Sequence, residues 1–190
     1  EEAMLSRLAL RSMKQAKYTT DCVGHFGLAA RYYTHFTSPI RRYPDLQIHR
    51  IIKENLHGRL GEKRLSHYGK LLPEAAVWTS SRERLAEEAE RETEKAKKVQ
   101  YMERRIGEVF DGVISGISNY GFYVELPDTV EGMVHVSELD GDYYVFDEAH
   151  YELVGERTRK RFKLGQPIRV QVVAVDRYLK TIDFLPVREF

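Results

Sequence analysis

A run of hydroxyl and guanidinium side chains near the start of the chain has the composition of a phosphate-binding site. Thr37 and Ser38 offer two hydroxyl groups, and Arg41 and Arg42 follow within four residues. Arginine keeps its charge and can donate to two phosphate oxygens at once. Acidic residues are scarce here. Residues 1–50 contain Glu1, Glu2, Asp21 and Asp45. The run predicts a grip on phosphate without the carboxylates that would hold a catalytic metal ion.

Two weaker interpretations of this region stay open. A metal site would use three histidines and an aspartate, namely His25, His35, His49 and Asp45, but their spacing matches no ligand motif. A serine hydrolase would use Ser38 as its nucleophile. Pro39 follows that serine directly, and no Gly-x-Ser-x-Gly turn surrounds it.

The composition is that of a globular protein with a locally basic start. Of the 190 residues, 42% are hydrophobic and 31% are charged, and the net charge is only +1. Residues 1–50 nevertheless carry eight Lys and Arg against four acidic residues, which favours polyanions. The single cysteine, Cys22, excludes an intrachain disulfide and a thiolate zinc cluster, and it fits a reducing compartment. Apolar residues already recur at roughly helical spacing from Met4 onward, and the first residue is not Met, so we expect a piece of a longer protein.

The hydrophobic period predicts helices first and strands afterwards. Helices are expected over residues 2–17, 44–56, 65–72 and 74–105, with irregular chain at 18–40. After residue 105 the period becomes two, and strands are expected at 108–116, 120–126, 131–136, 167–175 and 180–185. Five short strands with a long polar insertion at 140–166 are typical of an OB-fold barrel. We therefore predict a two-part α+β chain, helical over 1–105 and barrel over 106–190.

The strands carry aromatic residues of the kind that stack on bases. Tyr120, Phe122 and Val124 are expected on one face of a strand, with Tyr123 on the other, and His135 lies on the next strand. Rings on one barrel face would bind single-stranded nucleic acid with little sequence preference. Filling the core is the alternative role for any single ring. The basic run at 157–163 would either contact phosphates or form a solvated loop.

The second half resembles the S1 RNA-binding domain family. The tracts that carry the resemblance are Gly107–Ile114, Asn119–Val124, Glu131–Leu139 and Gly165–Asp176. The resemblance implies an OB-fold whose RNA-binding face is built from the matching positions Tyr120, Phe122, His135, Asp176 and Lys180. The sequence Lys180-Thr-Ile-Asp departs slightly from the family pattern at the last strand.

The first half resembles the C-terminal part of the catalytic domain of the ribonuclease II/ribonuclease R family. The tracts are Leu10–Ala16, Gly24–Ala29, Tyr33–Leu46 and Ser81–Arg84. The resemblance implies 3′→5′ hydrolysis of RNA to nucleoside 5′-monophosphates with magnesium. It implies that Arg41 stabilises the transition state, that Tyr33, Ser38 and Arg42 hold phosphates, and that Glu83 lies near the active site. An ordinary surface carboxylate is the alternative for Glu83.

The resemblance leads to a set of expectations about the protein as a whole. The family's metal-binding aspartates belong to an upstream part of the catalytic domain, so this chain is expected to contain no metal ligands and to be inactive alone. We expect a cytoplasmic, monomeric parent enzyme whose partners are single-stranded RNA and the rest of the polypeptide, without a membrane. The alternatives are a non-catalytic RNA-binding protein with the same two modules and a helical scaffold with a structural barrel.

Overall fold

The computed structural model describes residues 9–10, 12–13, 15–148 and 150–187. Most of the helix predicted over 2–17 lies outside these residues, and residues 15–19 have no regular secondary structure. The contacts divide the chain into two units. We call the described residues 15–90 the N-terminal unit and the described residues from 91 onward, together with 9–10 and 12–13, the barrel unit. None of the helices in the described ranges is long and apolar enough to cross a bilayer.

Two α-helices dominate the first part of the described chain. A 3-10 helix, Phe26–Leu28, interrupts an otherwise irregular stretch and is followed by α1, Tyr43–Leu56, and α2, Glu62–Met102. Pro44 occupies the first turn of α1, where its missing N–H costs nothing. The two helices expected over 65–72 and 74–105 are one, because α2 continues through Pro73. A proline inside a helix removes one hydrogen bond without ending the helix when the surrounding turns are favourable.

The second part contains eight strands. They are β1 Val109–Ser118, β2 Gly121–Glu125, β3 Glu131–His135, β4 Tyr144–Asp147, β5 Glu152–Gly155, β6 Arg161–Lys163, β7 Pro167–Asp176 and β8 Thr181–Pro186. Five of them close into a barrel in the order β1-β2-β3-β8-β7, with β1 pairing β7 and β3 lying parallel to β8. The predicted OB-fold is therefore confirmed, with each barrel strand within two residues of its expected bounds.

The insertion between the third and fourth barrel strands is more ordered than the sequence suggested. Strands β4, β5 and β6 form a separate three-stranded antiparallel sheet. One face of this sheet carries Tyr144, Leu153 and Phe162, all buried against the barrel core. The Phe162 ring lies 4.8 Å from that of Phe122 between ring centres. The polar composition of 140–166 concealed this apolar alternation.

The barrel core leaves no room for side chains at two glycines. A Cβ on Gly132 would lie 2.5 Å from the Phe184 ring, and one on Gly121 would lie 2.0 Å from the carbonyl oxygen of Val134. Gly121 also has a φ of +143°, which side-chain-bearing residues rarely adopt. Val99 and Met102, from the end of α2, are buried in the same cluster. The last turns of α2 are thus part of the barrel unit's core.

Candidate phosphate and nucleic-acid binding sites

A buried carboxylate organises the predicted phosphate-binding run. Asp45 is fully buried, and its Oδ2 accepts hydrogen bonds from the Ser38 backbone N–H and the Arg42 guanidinium, both at 2.8 Å. Burial raises the pKa of Asp45, but these two donors outweigh it and hold the pKa below its usual value. The ionised Asp45 therefore ties the start of the run to the first turn of α1.

The two arginines of the run have different environments. The Arg42 side chain is only 18% exposed and is bound to Asp45. Arg41 is exposed, and its guanidinium makes no recorded hydrogen bond or ion pair within the described ranges. Both backbone N–H groups donate to the Ser38 carbonyl, so a tight turn presents Arg41 outward. The geometry supports Arg41 as a phosphate ligand. Arg42 is bound to Asp45 through one terminal nitrogen, whereas its Nε has no hydrogen-bond partner among the described residues, and its phosphate contact stays a prediction.

Tyr18 links the irregular segment to α2. Its backbone N–H donates to Ser80 Oγ at 2.8 Å, and its hydroxyl lies 3.0 Å from His35 Nδ1. Burial, together with a hydrogen bond and the negative charge of Glu83, raises the pKa of Tyr18 to about 12. The charges of Arg42 and Asp45 also act on this hydroxyl. The structure therefore brings Glu83 into the neighbourhood of the Asp45-centred turn.

Tyr33 and the nearby histidines form a series of ring contacts. The Tyr33 ring packs edge-on against His25 at 4.6 Å and against His35 at 5.9 Å between ring centres. Phe36 stacks on His49 at 4.2 Å. Tyr33 remains about half exposed and available to a ligand. The histidines are engaged in packing, and the three-histidine metal interpretation gains no geometric support.

The carboxylates near the run do not fit a magnesium ion. Asp45 Oδ2 already serves two donors, and its Oδ1, although buried without a hydrogen-bond partner, is not joined by two further ligand groups among the described residues. One group of metal-ligand type occurs within the described ranges, formed by Asp147, His150 and Glu152 of the insertion. There, Glu152 is bound by Arg161 at 2.6 Å and Lys163 at 3.4 Å, which neutralise it. Neither place supports a magnesium-dependent step by these residues.

The outer surface of β2 and β3 carries exposed rings. Tyr120 is 66% exposed, Tyr123 is 41% exposed, and His135 is exposed at the end of β3. Tyr123 pairs with Met133 across the strands, and its ring lies over Gly116, where a Cβ would be 3.4 Å away. The backbone of Tyr120 accepts a hydrogen bond from Val136. We call Tyr120, Tyr123 and His135 the aromatic face.

Phe122 does not belong to this face, contrary to the expectation. It is fully buried, and its ring packs against Phe162 in the barrel core. Tyr123, on the other face of β2, carries the outward ring. Tyr120 precedes β2 and lies in the turn, so strand alternation does not fix its direction, and its exposure says nothing about the face of Phe122. The signal in the sequence is that the apolar Phe122 and Val124 alternate with the more polar Tyr123 and Glu125, which favours the Phe122 side as the core face.

Asp176 and Lys180 flank the turn between β7 and β8. Asp176 Oδ1 accepts the backbone N–H groups of Tyr178 at 2.7 Å and Leu179 at 2.8 Å, which shapes the turn. Lys180 is ion-paired with Glu92 of α2. The pairing of Met133 with Asp183 places Lys180 level with the beginning of β3, whereas His135 ends that strand. These two residues therefore have local partners, and their part in the RNA-binding face stays a prediction.

Much of the basic run at 157–163 is also engaged locally. Asp142 accepts hydrogen bonds from Thr158 and from the backbone of Arg157, and these bonds lower its pKa. Arg157 donates to the Gly141 carbonyl, while Arg161 and Lys163 are bound to Glu152. Hydrogen bonds and ion pairs within the insertion therefore hold three basic side chains of this run, which makes them less available to phosphates.

Comparison with known proteins agrees with this arrangement. Residues 1–58 match the RNB domain and residues 103–185 match the S1 RNA binding domain. Ribonuclease R 1 of Lactococcus lactis is 49% identical over 183 residues, which covers 96% of this chain and 22% of that protein. The chain belongs to the ribonuclease II/ribonuclease R family. Ribonuclease R of Escherichia coli is 44% identical over 95% of the chain and 23% of its own length.

Solved structures of the ribonuclease R family share the fold. The apo form of Mycoplasma genitalium RNase R has a TM-score of 0.89 and 26% identity, covering 97% of this chain and 29% of that one. A second structure of that protein, with the same TM-score, contains ribose-methylated single-stranded RNA. The chain spans about a quarter of the length of the curated ribonuclease R relatives it matches. The expected domain boundary near residue 105 stays a prediction. The matched domains end at residue 58 and begin at residue 103, and the contacts divide after residue 90.

Proposed function

We propose that this chain is part of a processive 3′→5′ exoribonuclease that hydrolyses single-stranded RNA to nucleoside 5′-monophosphates. The observation that carries the proposal is the similarity to ribonuclease R over 96% of the chain, through both the RNB and S1 ranges. The Arg41 guanidinium, which has no ion pair among the described residues, lies on a turn held by Asp45 and is available to bind a phosphate. The aromatic face adds a surface suited to bases.

Arg41 has the properties of a group that stabilises charge on a phosphate under attack. Its guanidinium can donate two parallel hydrogen bonds to non-bridging oxygens, and it cannot lose its charge. The Asp45 contacts to Ser38 and Arg42 hold the turn in place before RNA arrives. Such preorganised donors cost little reorganisation when charge develops. Tyr33 and the Ser38 hydroxyl are proposed to contact adjacent phosphates.

Glu83 has a second part in the proposal. Its carboxylate is close enough to raise the pKa of the Tyr18 hydroxyl, beside the phosphate-binding turn, and a carboxylate there would orient a water molecule or a ribose hydroxyl. Magnesium, held by carboxylates of the parent protein outside this chain, would supply activation of water and neutralisation of charge. The chain alone is proposed to bind RNA without hydrolysing it. A cytoplasmic, monomeric parent enzyme completes the proposal.

The role of Arg41 is tested by Arg41→Lys in the parent exoribonuclease, with Arg50→Lys as control. Arg50 is exposed on α1 and has the same charge. Loss of a preorganised donor commonly lowers kcat about 10²–10³-fold, and we expect this for Arg41 with little change in KM. A kcat equal to that of the Arg50 variant would remove Arg41 from the proposed chemistry.

The inactivity of the chain alone is tested separately with end-labelled single-stranded RNA and magnesium. We expect retarded RNA in a native gel and no mononucleotides in a denaturing one. Release of mononucleotides would show that the chain contains a complete active site. Absence of any RNA complex would instead favour the helical scaffold with a structural barrel.

A further inference from the structure

An open cleft of about 580 Å³ lies where α2 leads into β1, within the barrel unit. Its walls come from the last turns of α2 and the residues just before β1. The lining residues are Lys97, Gln100, Tyr101, Arg104, Arg105 and Glu108. None of them belongs to the aromatic face or to the turn around Arg41. The cleft therefore needs an explanation of its own.

The cleft concentrates positive charge that has few partners. Glu108 is the single carboxylate in its lining, and it lies 3.4 Å from Arg105. Lys97 donates to the neutral Gln100 amide at 3.3 Å, and no ion pair is recorded within the described ranges for Lys97 or Arg104. Two unneutralised cations facing one cavity repel each other, and an anion between them would relieve that repulsion.

Elsewhere the same stretch of helix neutralises its charges. Lys98 pairs with Glu94 at 3.1 Å, Glu92 pairs with Lys180, and Glu103 pairs with Arg177. Lys97 and Arg104, which line the cleft, have no such ion pair among the described residues.

Tyr101 restrains a third cation of the cleft, Arg105. The Arg105 guanidinium lies 4.3 Å from the centre of the Tyr101 ring and 6.0 Å from that of Phe110. Stacking on a ring restrains a long side chain while leaving its N–H edges available for oxygen acceptors. Part of the entropy cost of ordering Arg105 around a ligand is thus met in advance.

We propose that this cleft binds the sugar–phosphate backbone of RNA, as a contact additional to the aromatic face. The proposal rests on the proposed function, since it assumes that RNA is the ligand of the chain. The cleft lies at the beginning of β1, and the aromatic face adjoins its end, where Ser118 pairs with Gly121. Nine residue steps separate the two along the strand, roughly 30 Å at the usual rise. Only an RNA long enough to span this distance would contact the cleft and the aromatic face together.

The test is binding of a fluorescent oligoadenylate to the chain at several salt concentrations. The variant Lys97→Gln/Arg104→Gln is compared with Lys63→Gln/Lys70→Gln, which removes the same charge from exposed positions on α2 outside the cleft. We expect the cleft variant alone to bind about tenfold more weakly at low salt and to lower the salt slope by about 1.4, or 0.7 per phosphate contact. Equal affinities and slopes for the two variants would overturn the proposal.

Three further measurements distinguish the ways in which the proposal could fail. Glu108→Gln removes the carboxylate of the cleft and should tighten RNA binding. Glu108 is exposed, so the substitution poses little risk to folding. Unchanged or weaker RNA binding by this variant would contradict the proposal that the cleft binds RNA. If inorganic phosphate competes as well as oligoadenylate at equal phosphate concentration, the cleft is a free-anion site and the RNA proposal fails. Weaker binding by Tyr120→Ala but not by the cleft variant would retain the aromatic face and reject the cleft. No binding by the unmodified chain would reject both.

Discussion

The two units of this chain are stabilised by different kinds of contact. In the barrel unit, a continuous cluster of 17 buried side chains, among them Phe122, Phe184 and Met102, fills the barrel and the space under the insertion. In the described part of the N-terminal unit, the buried side chains are Tyr68, Asp45, Gln47 and Ser80, and three of these four are polar. The barrel unit depends on burial of apolar surface, and the N-terminal unit depends on hydrogen-bonded networks.

The networks of the N-terminal unit each centre on one carboxylate. Asp45 holds the turn at Ser38, while Glu54 accepts hydrogen bonds from Arg64 at 2.5 Å and from Tyr68 at 3.0 Å, joining α1 to α2. Meanwhile Phe26 and Ile40 are fully exposed. A unit with little apolar burial has few contacts to spare, so single polar substitutions should affect it strongly. The same substitutions on the barrel surface should have small effects.

The largest expected effect is in the barrel core and tests the corrected position of Phe122. Phe122→Ala should destabilise the barrel unit by about 3–5 kcal/mol, because the ring is fully buried against Phe162. Tyr123→Ala should cost about 1 kcal/mol, since its ring is partly exposed. Urea denaturation followed by circular dichroism gives both values.

The same pair should show the opposite order in RNA binding. Tyr123→Ala should weaken binding by about 1–3 kcal/mol if one base stacks on the ring. The folded fraction of Phe122→Ala should keep its affinity. Loss of affinity on Tyr120→Ala but not on Tyr123→Ala would restrict the aromatic face to the turn before β2.

The next effect concerns Asp45 and tests whether a polar centre stabilises the N-terminal unit. Asp45→Asn should destabilise it by about 2 kcal/mol, because the buried Arg42 loses its ionic partner. Asp21→Asn is the control, since that carboxylate is exposed. Equal stabilities of the two variants, measured by urea denaturation, would show that Asp45 is not central.

The effect of Asp45 should also depend on pH. Its folded-state pKa lies below the value of about 3.9 usual for an unfolded chain, so it contributes stability above that pH. The contribution is lost as the pH falls through the lower, folded-state pKa. Thermal melts of the chain and of Asp45→Asn should therefore differ at neutral pH and converge in strong acid. A constant difference across the range would contradict the assignment.

The fold was largely predictable because alternating hydrophobicity is a local property. All five barrel strands and α1 followed from period and turn residues alone. The sheet β4–β6 was missed because its outward face is charged, with Arg161 and Lys163 gathered over Glu152. The continuity of α2 was missed because Pro73 usually ends a helix, and only the complete helix shows that the lost hydrogen bond is tolerated.

The candidate site was predictable in residue type but not in pairing. The sequence indicated phosphate chemistry at Ser38, Arg41 and Arg42, but it could not show that Asp45 binds Arg42 and leaves Arg41 available. That distinction depends on a bond across three residues at the beginning of α1. Glu83 and Tyr18 are 65 residues apart, so their contact arises only from tertiary structure. The cleft at Lys97 and Arg104 likewise requires the three-dimensional structure, because it forms where the end of α2 meets the residues before β1.

The smallest expected effect concerns Tyr18, which connects the polar network to Glu83. Tyr18→Phe keeps the ring but removes the hydroxyl near His35 and Glu83, and it should destabilise the N-terminal unit by about 1 kcal/mol. Tyr32→Phe is the matched control, because that ring is mostly exposed. The phenolate absorbance should also lose a titration near pH 12 in Tyr18→Phe, where burial and Glu83 place the pKa of Tyr18. If the titration near pH 12 persists in Tyr18→Phe and the two variants are equally stable, the Tyr18 hydroxyl does not connect the polar network to Glu83.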